Sequence, residues 1–167
     1  MSLQQSFLCL VVNLDGSNDR WQSVSTQLDN ADISFERLAA VDGRIEPPKN
    51  VADYDADGAK RYMGRALVGG EIGCYHSHLA AAKRFLETEH TACLVIEDDA
   101  KPDPDLRQVV DETMCYLTTT SPNWRVVNLG NNKLKIAREC LPIKTSSNEY
   151  VLHQAFYFPM TTGALLW

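Results

Sequence analysis

Three consecutive carboxylates, Glu97, Asp98 and Asp99, directly follow the apolar run at residues 92–96. A short, continuous apolar run with β-branched residues is typical of a strand that is buried on both faces. The acids would then lie at the carboxyl end of that strand, which faces the ligand crevice in open α/β sheets. Because side chains alternate along a strand, we expect Glu97 and Asp99 to point to one side and Asp98 to the other.

The spacing of these acids favours a divalent cation. Two residues of strand separate Glu97 from Asp99 by roughly 6.6 Å, and two ionised carboxylates at that distance repel by about 2.5 kcal/mol at an effective dielectric of roughly 20. A bound cation converts this repulsion into attraction, and oxygen ligands select Mg²⁺ or Mn²⁺. The alternative is a solvated strand end that continues into the polar loop 101–104, and the acids alone leave both interpretations open.

A glycine-rich helix start at residues 69–73 precedes the second group of reactive side chains. Glu71 and His78 are seven residues apart and share roughly one helix face, with Cys74 between them. Small residues at a helix start allow close approach of a ligand or of another backbone. The alternative is that His78 is an ordinary hydrogen-bonded histidine and Cys74 a core residue. Cys74, His76 and His78 do not form a metal set, because positions i and i+2 diverge on a helix.

The N-terminal region predicts a strand, a tight turn and a helix, the order in which nucleotide-binding α/β domains begin. Residues 7–14 form the apolar run, and Ser17 is the expected N-cap. Arg20 falls in the first helical turn, where the macrodipole disfavours a cation, so we expect an anionic partner such as a phosphate. The alternative is an ion pair with Asp15 or Asp19. The inward face of this helix is predicted to carry Trp21, Val24 and Leu28.

The remaining pattern completes an α/β domain. Residues 33–41 predict a second strand, closed by the turn Asp42-Gly43, and residues 44–64 predict a long loop. The glycine-rich helix is expected to bury an apolar stripe made of Ile72, Tyr75, Leu79, Ala82 and Leu86. Further predicted elements are a helix at 105–117 and strands at 125–129, 134–141 and 150–158.

Length and charge limit the class of protein. The chain has 167 residues, which suffice for one domain with its own core, so we assign residues 1–167 to a single domain with 1–3 as an added leader. A net charge of −6 argues against a nucleic-acid partner. No apolar stretch reaches the ~20 residues of a membrane span, and no secretory signal is visible. The five cysteines have no zinc-binding spacing and are interpreted as reduced core residues of an intracellular protein.

The apolar run at residues 163–167 ends the sequence without a stop signal. We expect this segment to be an exposed strand. Unpaired apolar edges associate, so the pattern predicts a homodimer through that strand.

Sequence blocks in a fixed order carry a family resemblance. They are Val12-Asn13-Leu14-Asp15 with Asp19-Arg20; Phe35-Glu36-Arg37 with Ala40-Val41-Asp42-Gly43; Gly70-Glu71-Ile72-Gly73-Cys74 with Ser77-His78-Leu79; Leu94-Val95-Ile96-Glu97-Asp98-Asp99-Ala100; and, more weakly, Thr162-Gly163-Ala164-Leu165-Leu166. Together they resemble glycosyltransferase family 25, the bacterial lipooligosaccharide galactosyltransferase type that is related to animal collagen galactosyltransferases.

The resemblance implies a GT-A fold, which is a Rossmann-like, mixed and mostly parallel sheet flanked by helices. It also implies a UDP-sugar donor carrying galactose or a related hexose, a saccharide acceptor in lipooligosaccharide or another glycan, and Mn²⁺ or Mg²⁺ as cofactor. The implied metal ligands are Glu97 and Asp99. The implied nucleotide-sugar-binding residues are Asn13, Leu14, Arg20, Asp42, Gly43, Glu71, Ser77, His78 and Asp98. The implied location is the cytoplasm, peripheral to the inner face of the membrane.

Two departures from the family pattern qualify these expectations. The first loop of family members often carries an arginine where this chain has Gly16 or Ser17. Family members also continue beyond the point where this sequence stops, so we interpret the domain as C-terminally truncated, with part of the acceptor site missing and no catalytic base assigned. The alternatives are a nucleotide-sugar-binding fragment without turnover and a metal-dependent nucleotidyl- or phosphotransferase. The second is disfavoured because no GxxxxGK loop is present.

Overall fold

A mixed sheet flanked by helices organises the chain in the computed structural model, which describes residues 5–45, 54–130, 135–156 and 163–167. In chain order the elements are β1 (Leu8–Asn13), α1 (Asn18–Asn30), β2 (Glu36–Ala39), α2 (Ala56–Met63), α3 (Gly69–Leu86), β3 (Cys93–Glu97), α4 (Leu106–Thr120), β4 (Val127–Asn128), β5 (Ala137–Lys144), β6 (Glu149–Ala155) and β7 (Ala164–Leu166). No helix among these described elements is long and apolar enough to cross a bilayer. The predicted leader at residues 1–3 lies outside the described residues.

The main sheet has the strand order β2-β1-β3-β7-β4. β1 pairs in parallel with both β2 and β3, whereas β7 runs antiparallel to β3 and β4. β5 and β6 form a separate antiparallel hairpin. The predicted α/β class, with a mixed and mostly parallel sheet between helices, is confirmed.

Two apolar layers cover the sheet, one on each face. Alternate residues of β1 and β3, such as Val11 and Ile96, pack with Val24 and Leu28 of α1 and Val110 of α4. The residues between them, including Val12 and Val95, pack on the opposite face against Ala81 and Phe85 of α3. Every residue of β1 and the first four of β3 are buried, which confirms the interpretation of both apolar runs as strands covered on both faces.

Helix α3 buries a different face from the predicted stripe. Its buried residues are Ile72, Gly73, Ser77 and Ala81, whereas Tyr75, Leu79 and Leu86 are exposed. Small side chains line the buried face, so the helix axis approaches the neighbouring backbone closely. The predicted stripe was selected from large apolar side chains, so it did not include the small residues Gly73 and Ser77 through which the helix makes this close contact.

The predicted loop at residues 44–64 is corrected over part of its length, because residues 56–63 form α2. The Asp55 side chain accepts a 2.8 Å hydrogen bond from the Gly58 N–H at the start of this helix. Gly64 ends it in the left-handed conformation, with φ of 74°. The helix has no buried residue, which explains why hydrophobic periodicity did not predict it. Residues 46–53 of the predicted loop lie outside the described residues.

The predicted exposure of the C-terminal strand is wrong. β7 lies inside the sheet between β3 and β4, and Leu165 and Leu166 are buried. β7 is far in sequence from its partners β3 and β4, so local sequence patterns could not predict this pairing. The homodimer predicted through an exposed strand therefore loses its structural basis.

Several predicted boundaries shift. The second strand is confined to residues 36–39, and the strand predicted at 125–129 is reduced to the two residues of β4. Ser17 occupies the N-cap position of α1 without a side-chain capping bond. The predicted helix at 105–117 extends to Thr120 as α4. All five cysteines are free, but only Cys9 and Cys93 are buried, so the expectation that all are core residues is corrected.

Candidate functional site

A cavity of about 260 Å³ opens at the carboxyl ends of β1 and β3. Its lining comes from the residues after these two strands, the turn after β2, and α3. The lining residues are Val12, Leu14, Arg20, Ala40, Val41, Asp42, Gly43, Arg44, Gly70, Cys74, Ser77, His78, Glu97, Asp98 and Asp99. This is the edge at which ligands bind in open α/β sheets.

Strand alternation sends the first two acids of the triplet to opposite faces of the sheet. Val95 faces α3 and Ile96 faces α1, so Glu97 turns toward α3 and Asp98 toward α1. The predicted divergence of Glu97 and Asp98 is confirmed. Asp99 lies in the turn after β3, where an oxygen of its carboxylate is 3.9 Å from Arg20 Nη1. It therefore lies on the Arg20 side with Asp98, and its predicted common orientation with Glu97 is not observed.

Asp98 is held by two partners from the first strand and helix. Asn13 Nδ2 donates a 2.7 Å hydrogen bond to Asp98 Oδ2, and Arg20 Nη1 lies 3.3 Å from Asp98 Oδ1. The Asp98 N–H donates to the Val12 carbonyl at 3.1 Å. The anionic partner expected for Arg20 is therefore a carboxylate of the protein, and neither Asp15 nor Asp19 takes that place. Asp98 is 10 % exposed, whereas Arg20 remains 58 % exposed at the pocket.

Arg37 supports this arrangement, although sequence analysis did not select it. Its Nε donates a 2.8 Å hydrogen bond to Asn13 Oδ1, and its Nη2 bonds Asp15 at 2.8 Å. Asn13 is itself 1 % exposed. Hydrogen bonds to Arg37 on one side and Asp98 on the other hold its side chain in place. The parallel register that places Val11 beside Arg37 could have suggested this contact.

Glu97 meets two side chains of α3. Its Oε1 accepts a 3.6 Å hydrogen bond from Cys74 Sγ and lies 3.4 Å from His78 Nε2. The pKa of His78 is raised to about 9, chiefly by hydrogen bonding to Cys74 and secondly by hydrogen bonding to Glu97. Burial acts in the opposite direction and lowers it. The interpretation of Cys74 as a core residue is corrected, because Cys74 is half-buried and lines the cavity.

The turn Asp42-Gly43 forms the rim opposite the acids. Arg44 bonds Asp42 through both Nε at 2.7 Å and Nη2 at 2.6 Å, and this hydrogen bonding lowers the pKa of Asp42 to about 2. Ser77 anchors the segment before the turn, since its hydroxyl accepts a 2.9 Å hydrogen bond from the Val41 N–H and donates to the Gly73 carbonyl at 2.7 Å. These contacts fix one wall of the cavity.

Glycines allow the rim to touch α3. A Cβ at Gly43 would overlap the Gly69 carbonyl, and one at Gly73 would lie 2.5 Å from the Val41 carbonyl. The two backbones therefore meet directly, as the small-residue helix start predicted.

Two predicted nucleotide-sugar-binding residues do not line the cavity. Glu71 accepts hydrogen bonds from Arg65 at 2.6 and 2.8 Å and from the Val68 N–H at 2.8 Å, which lowers the pKa of Glu71 to about 2. Asn13 lies behind Asp98. The other predicted residues, namely Leu14, Arg20, Asp42, Gly43, Ser77, His78 and Asp98, line it together with Glu97 and Asp99.

The cavity carries an excess of negative charge. Its lining includes the four carboxylates of Asp42, Glu97, Asp98 and Asp99 against three cationic groups, which are the guanidinium groups of Arg20 and Arg44 and the His78 ring with its raised pKa. Asp98 pairs with Arg20 at 3.3 Å and Asp42 with Arg44 at 2.6 Å, while Glu97 lies 3.4 Å from His78 and Asp99 lies 3.9 Å from Arg20. An incoming diphosphate therefore needs added positive charge or rearranged ion pairs at this edge.

Comparison with known proteins adds a family match and a set of distant relatives. Residues 8–153 match the family described as "Glycosyltransferase family 25 (LPS biosynthesis protein)". The chain is 25% identical over 163 residues to procollagen galactosyltransferase 1 of Danio rerio, a stretch that covers 93% of this chain and 26% of that protein. It is 25% identical over 157 residues to procollagen galactosyltransferase 2 of Mus musculus, covering 92% and 25%.

A relative without activity is also similar. The chain is 25% identical over 133 residues to "Inactive glycosyltransferase 25 family member 3" of Homo sapiens, covering 77% of this chain and 22% of that protein. The chain thus spans about a quarter of the length of the curated relatives it matches.

Proposed function

Because this chain belongs to glycosyltransferase family 25, we propose that it transfers a hexose, in the first instance galactose, from a UDP-sugar to a saccharide acceptor. The observation that supports this most is the cavity at the carboxyl ends of β1 and β3, since residues of four sequence blocks typical of the family line it. The acceptor we propose is a growing lipooligosaccharide or another glycan. Family membership favours this reaction over the alternative of a nucleotidyl- or phosphotransferase.

In this proposal, the cavity walls bind the donor through its diphosphate. We propose that Arg20 and Arg44 supply the positive charge, because both line the cavity and both remain largely exposed. Leu14, Asp42, Gly43, Ser77, His78 and Asp98 complete the proposed donor-binding set. Asn13 acts from behind as a positioning residue through Asp98, and Glu71 acts through the start of α3, where it accepts a hydrogen bond from the Val68 N–H.

The proposed reaction is an inverting substitution at the anomeric carbon. An acceptor hydroxyl oxygen forms a bond to that carbon, while the bond between the carbon and the diphosphate oxygen breaks and UDP departs with its electron pair. The hydroxyl proton passes to a base, which we leave unassigned. Cationic groups at the diphosphate stabilise the charge that develops on the leaving group.

The predicted cofactor, Mn²⁺ or Mg²⁺ held by Glu97 and Asp99, finds limited support in the geometry. Such ions prefer oxygen ligands throughout. In the described part of the chain, the three acids do not converge as a group of three ligands; Glu97 instead converges with a thiol and an imidazole. Ligation of Mn²⁺ or Mg²⁺ by Glu97 and Asp99 therefore stays a prediction from sequence, and no step of the reaction is assigned to it.

A second proposal is a nucleotide-sugar-binding unit without turnover. It is favoured by the similarity to a relative named inactive. Both proposals predict donor binding, and only the first predicts transfer.

We also propose a cytoplasmic location, peripheral to the inner face of the membrane. Five free thiols fit a reducing compartment.

Calorimetry with UDP, beside a transfer assay with UDP-galactose and a saccharide acceptor, separates the two proposals. We expect UDP to bind and Arg20→Gln to weaken binding about 10-fold, because a charge-assisted contact contributes roughly 1.5 kcal/mol or more. Arg138→Gln, on the distant hairpin, is the matched control. Binding with turnover supports the transferase, binding without turnover supports the second proposal, and absence of UDP binding contradicts both.

A further inference from the structure

Cys74, His78 and Glu97 form a convergent group of metal-ligating side chains in the cavity wall. One ligand atom of each lies within 4.8 Å of the others. Cys74 and His78 are four residues apart on α3 and therefore project from the same helix face. Glu97 reaches them from the end of β3, because strand alternation turns its side chain toward α3.

The distances from Glu97 Oε1 to the other two ligand atoms match those of a zinc site. Zinc bonds of about 2.0–2.3 Å at tetrahedral angles place neighbouring ligand atoms roughly 3.3–3.8 Å apart. Glu97 Oε1 lies 3.6 Å from Cys74 Sγ and 3.4 Å from His78 Nε2. Little side-chain movement is thus needed for an ion to enter.

The chemistry of the three side chains selects the class of metal. Thiolate and imidazole ligands suit Zn²⁺, whereas Mn²⁺ and Mg²⁺ prefer a shell of oxygen atoms. The spacing of the cysteines shows no zinc pattern, and His76 diverges from His78 on the helix, so the third ligand of the group comes from Glu97 on another element. The group becomes visible only when α3 is placed against the end of β3.

The backbone that carries the group is well fixed. The Glu97 N–H donates a 3.0 Å hydrogen bond to the Gly163 carbonyl, and β3 is paired on both sides. The His78 ring lies 6.2 Å from the Trp167 ring, between the helix and the sheet. A fixed backbone holds ligand side chains in place before the ion arrives, which lowers the entropic cost of binding.

We propose that Cys74, His78 and Glu97 bind one Zn²⁺ ion in the wall of the cavity. Three protein ligands leave a fourth coordination position, as in zinc sites that bind water or a substrate oxygen. Among the described residues, no further His, Cys, Asp or Glu joins the group, so that position is available to a ligand in the cavity. The ion would also offset the excess of carboxylates there. This proposal concerns metal binding and does not depend on sugar transfer.

Cobalt titration of the metal-stripped chain tests the proposal. Co²⁺ substitutes for Zn²⁺, and its bond to a thiolate produces a charge-transfer absorption in the near ultraviolet. We expect one Co²⁺ per chain with this absorption, displaced by equimolar Zn²⁺ and unaffected by equimolar Mn²⁺. Cys74→Ser should abolish the absorption, and His78→Gln or Glu97→Gln should weaken binding by about 100-fold or more.

Two control variants each remove a side chain of the same type as a proposed ligand. His76→Gln removes an imidazole two residues from His78, and Cys140→Ser removes a thiol on the hairpin. Both should bind Co²⁺ as the unchanged chain does. The absorption persisting in Cys74→Ser, or disappearing in Cys140→Ser, would overturn the proposal.

A measurement on the unchanged chain guards against variants that fail to fold. Zn²⁺ should protect Cys74 from alkylation by iodoacetamide, as read by mass spectrometry, while the exposed Cys115 remains reactive. Equal labelling of Cys74 with and without Zn²⁺ contradicts the site. Neither result bears on UDP binding, so failure here is distinguishable from failure of the proposed transferase.

Discussion

Asn13 Nδ2 donates a 2.7 Å hydrogen bond to Asp98 Oδ2 and so joins residues that are 85 positions apart in the sequence. β1 ends at Asn13, and Asp98 immediately follows the adjacent parallel strand β3. The bond therefore ties together the two strand ends that form the base of the cavity. It also links Asp98 to Arg37, because the Asn13 amide oxygen accepts from that guanidinium.

Replacement of Asn13 by leucine should destabilise the fold by about 1–3 kcal/mol, because the largely buried Asp98 carboxylate loses its 2.7 Å amide donor and keeps only the 3.3 Å side-chain contact with Arg20. Urea unfolding followed by tryptophan fluorescence measures the change. Asn18→Asp, at an exposed position in the first turn of α1, is the control and should change stability by less than about 0.5 kcal/mol. Equal stability of both variants would contradict the role given to Asn13.

If Glu97 and Asp99 hold a catalytic metal ion, as the family resemblance implies, Glu97→Gln should lower transfer from UDP-galactose by about 100-fold or more, and Asp99→Asn should have a smaller effect. Glu97 is 28 % exposed and contacts two cavity side chains, but Asp99 is 60 % exposed in the turn. Initial rates with and without added metal provide the measurement, with the exposed Glu89→Gln as control. Unchanged rates and unchanged metal dependence in both variants would refute metal ligation by these acids.

Gly43→Ala should destabilise the protein by about 1–3 kcal/mol, because the added methyl group overlaps the Gly69 carbonyl and forces two backbones apart. Gly70→Ala is the matched control, since nothing lies within 4 Å of the Cβ position there. Gly70 lies in α3, where alanine favours helix by up to about 1 kcal/mol. Opposite signs of the two changes in unfolding free energy are the expected result.

The Glu71 carboxyl should titrate near pH 2 in an NMR experiment on the folded protein, below its usual value of 4.5. The depressed pKa means that the interaction with Arg65 stabilises the start of α3 above pH 4.5 and is lost as the pH falls toward 2. Arg65→Met should move the midpoint upward, although the Val68 N–H still donates to Glu71. A midpoint near 4.5 in the unchanged chain would contradict the observed pairing.

Leu166→Ala should cost about 2–5 kcal/mol, because this side chain is fully buried in the interior of the sheet. Leu86→Ala, at a position 82 % exposed on α3, should change stability by less than about 0.5 kcal/mol. Chemical unfolding of both variants gives the comparison. Similar stability of the two would mean that β7 does not contribute to the core.

The sequence predicted best what depends on continuous hydrophobicity. The apolar runs before Asn13 and Glu97 could only be buried strands, and alternation then correctly separated Glu97 from Asp98. The prediction failed for Asp99, because alternation stops where β3 ends and a turn begins.

Contacts between distant elements escaped prediction. The buried face of α3 consists of small residues such as Gly73 and Ser77, which carry little hydrophobic signal but permit a close approach. The contact between Cys74 and Glu97 depends on the position of α3 along the sheet, and no local sequence pattern determines that position. The same holds for β7, whose partners lie far away in sequence.

The position of β7 in the sheet imposes an order on assembly during synthesis. β4 has no sheet partner other than β7 among the described strands, so it cannot join the sheet until the ribosome has delivered residues 164–166. Until then one edge of β3 stays open, and its unpaired backbone N–H and C=O groups are available to a chaperone or to another nascent chain. Among the described strands, β7 and, through it, β4 therefore join the sheet last, on the side of β3 that carries Glu97.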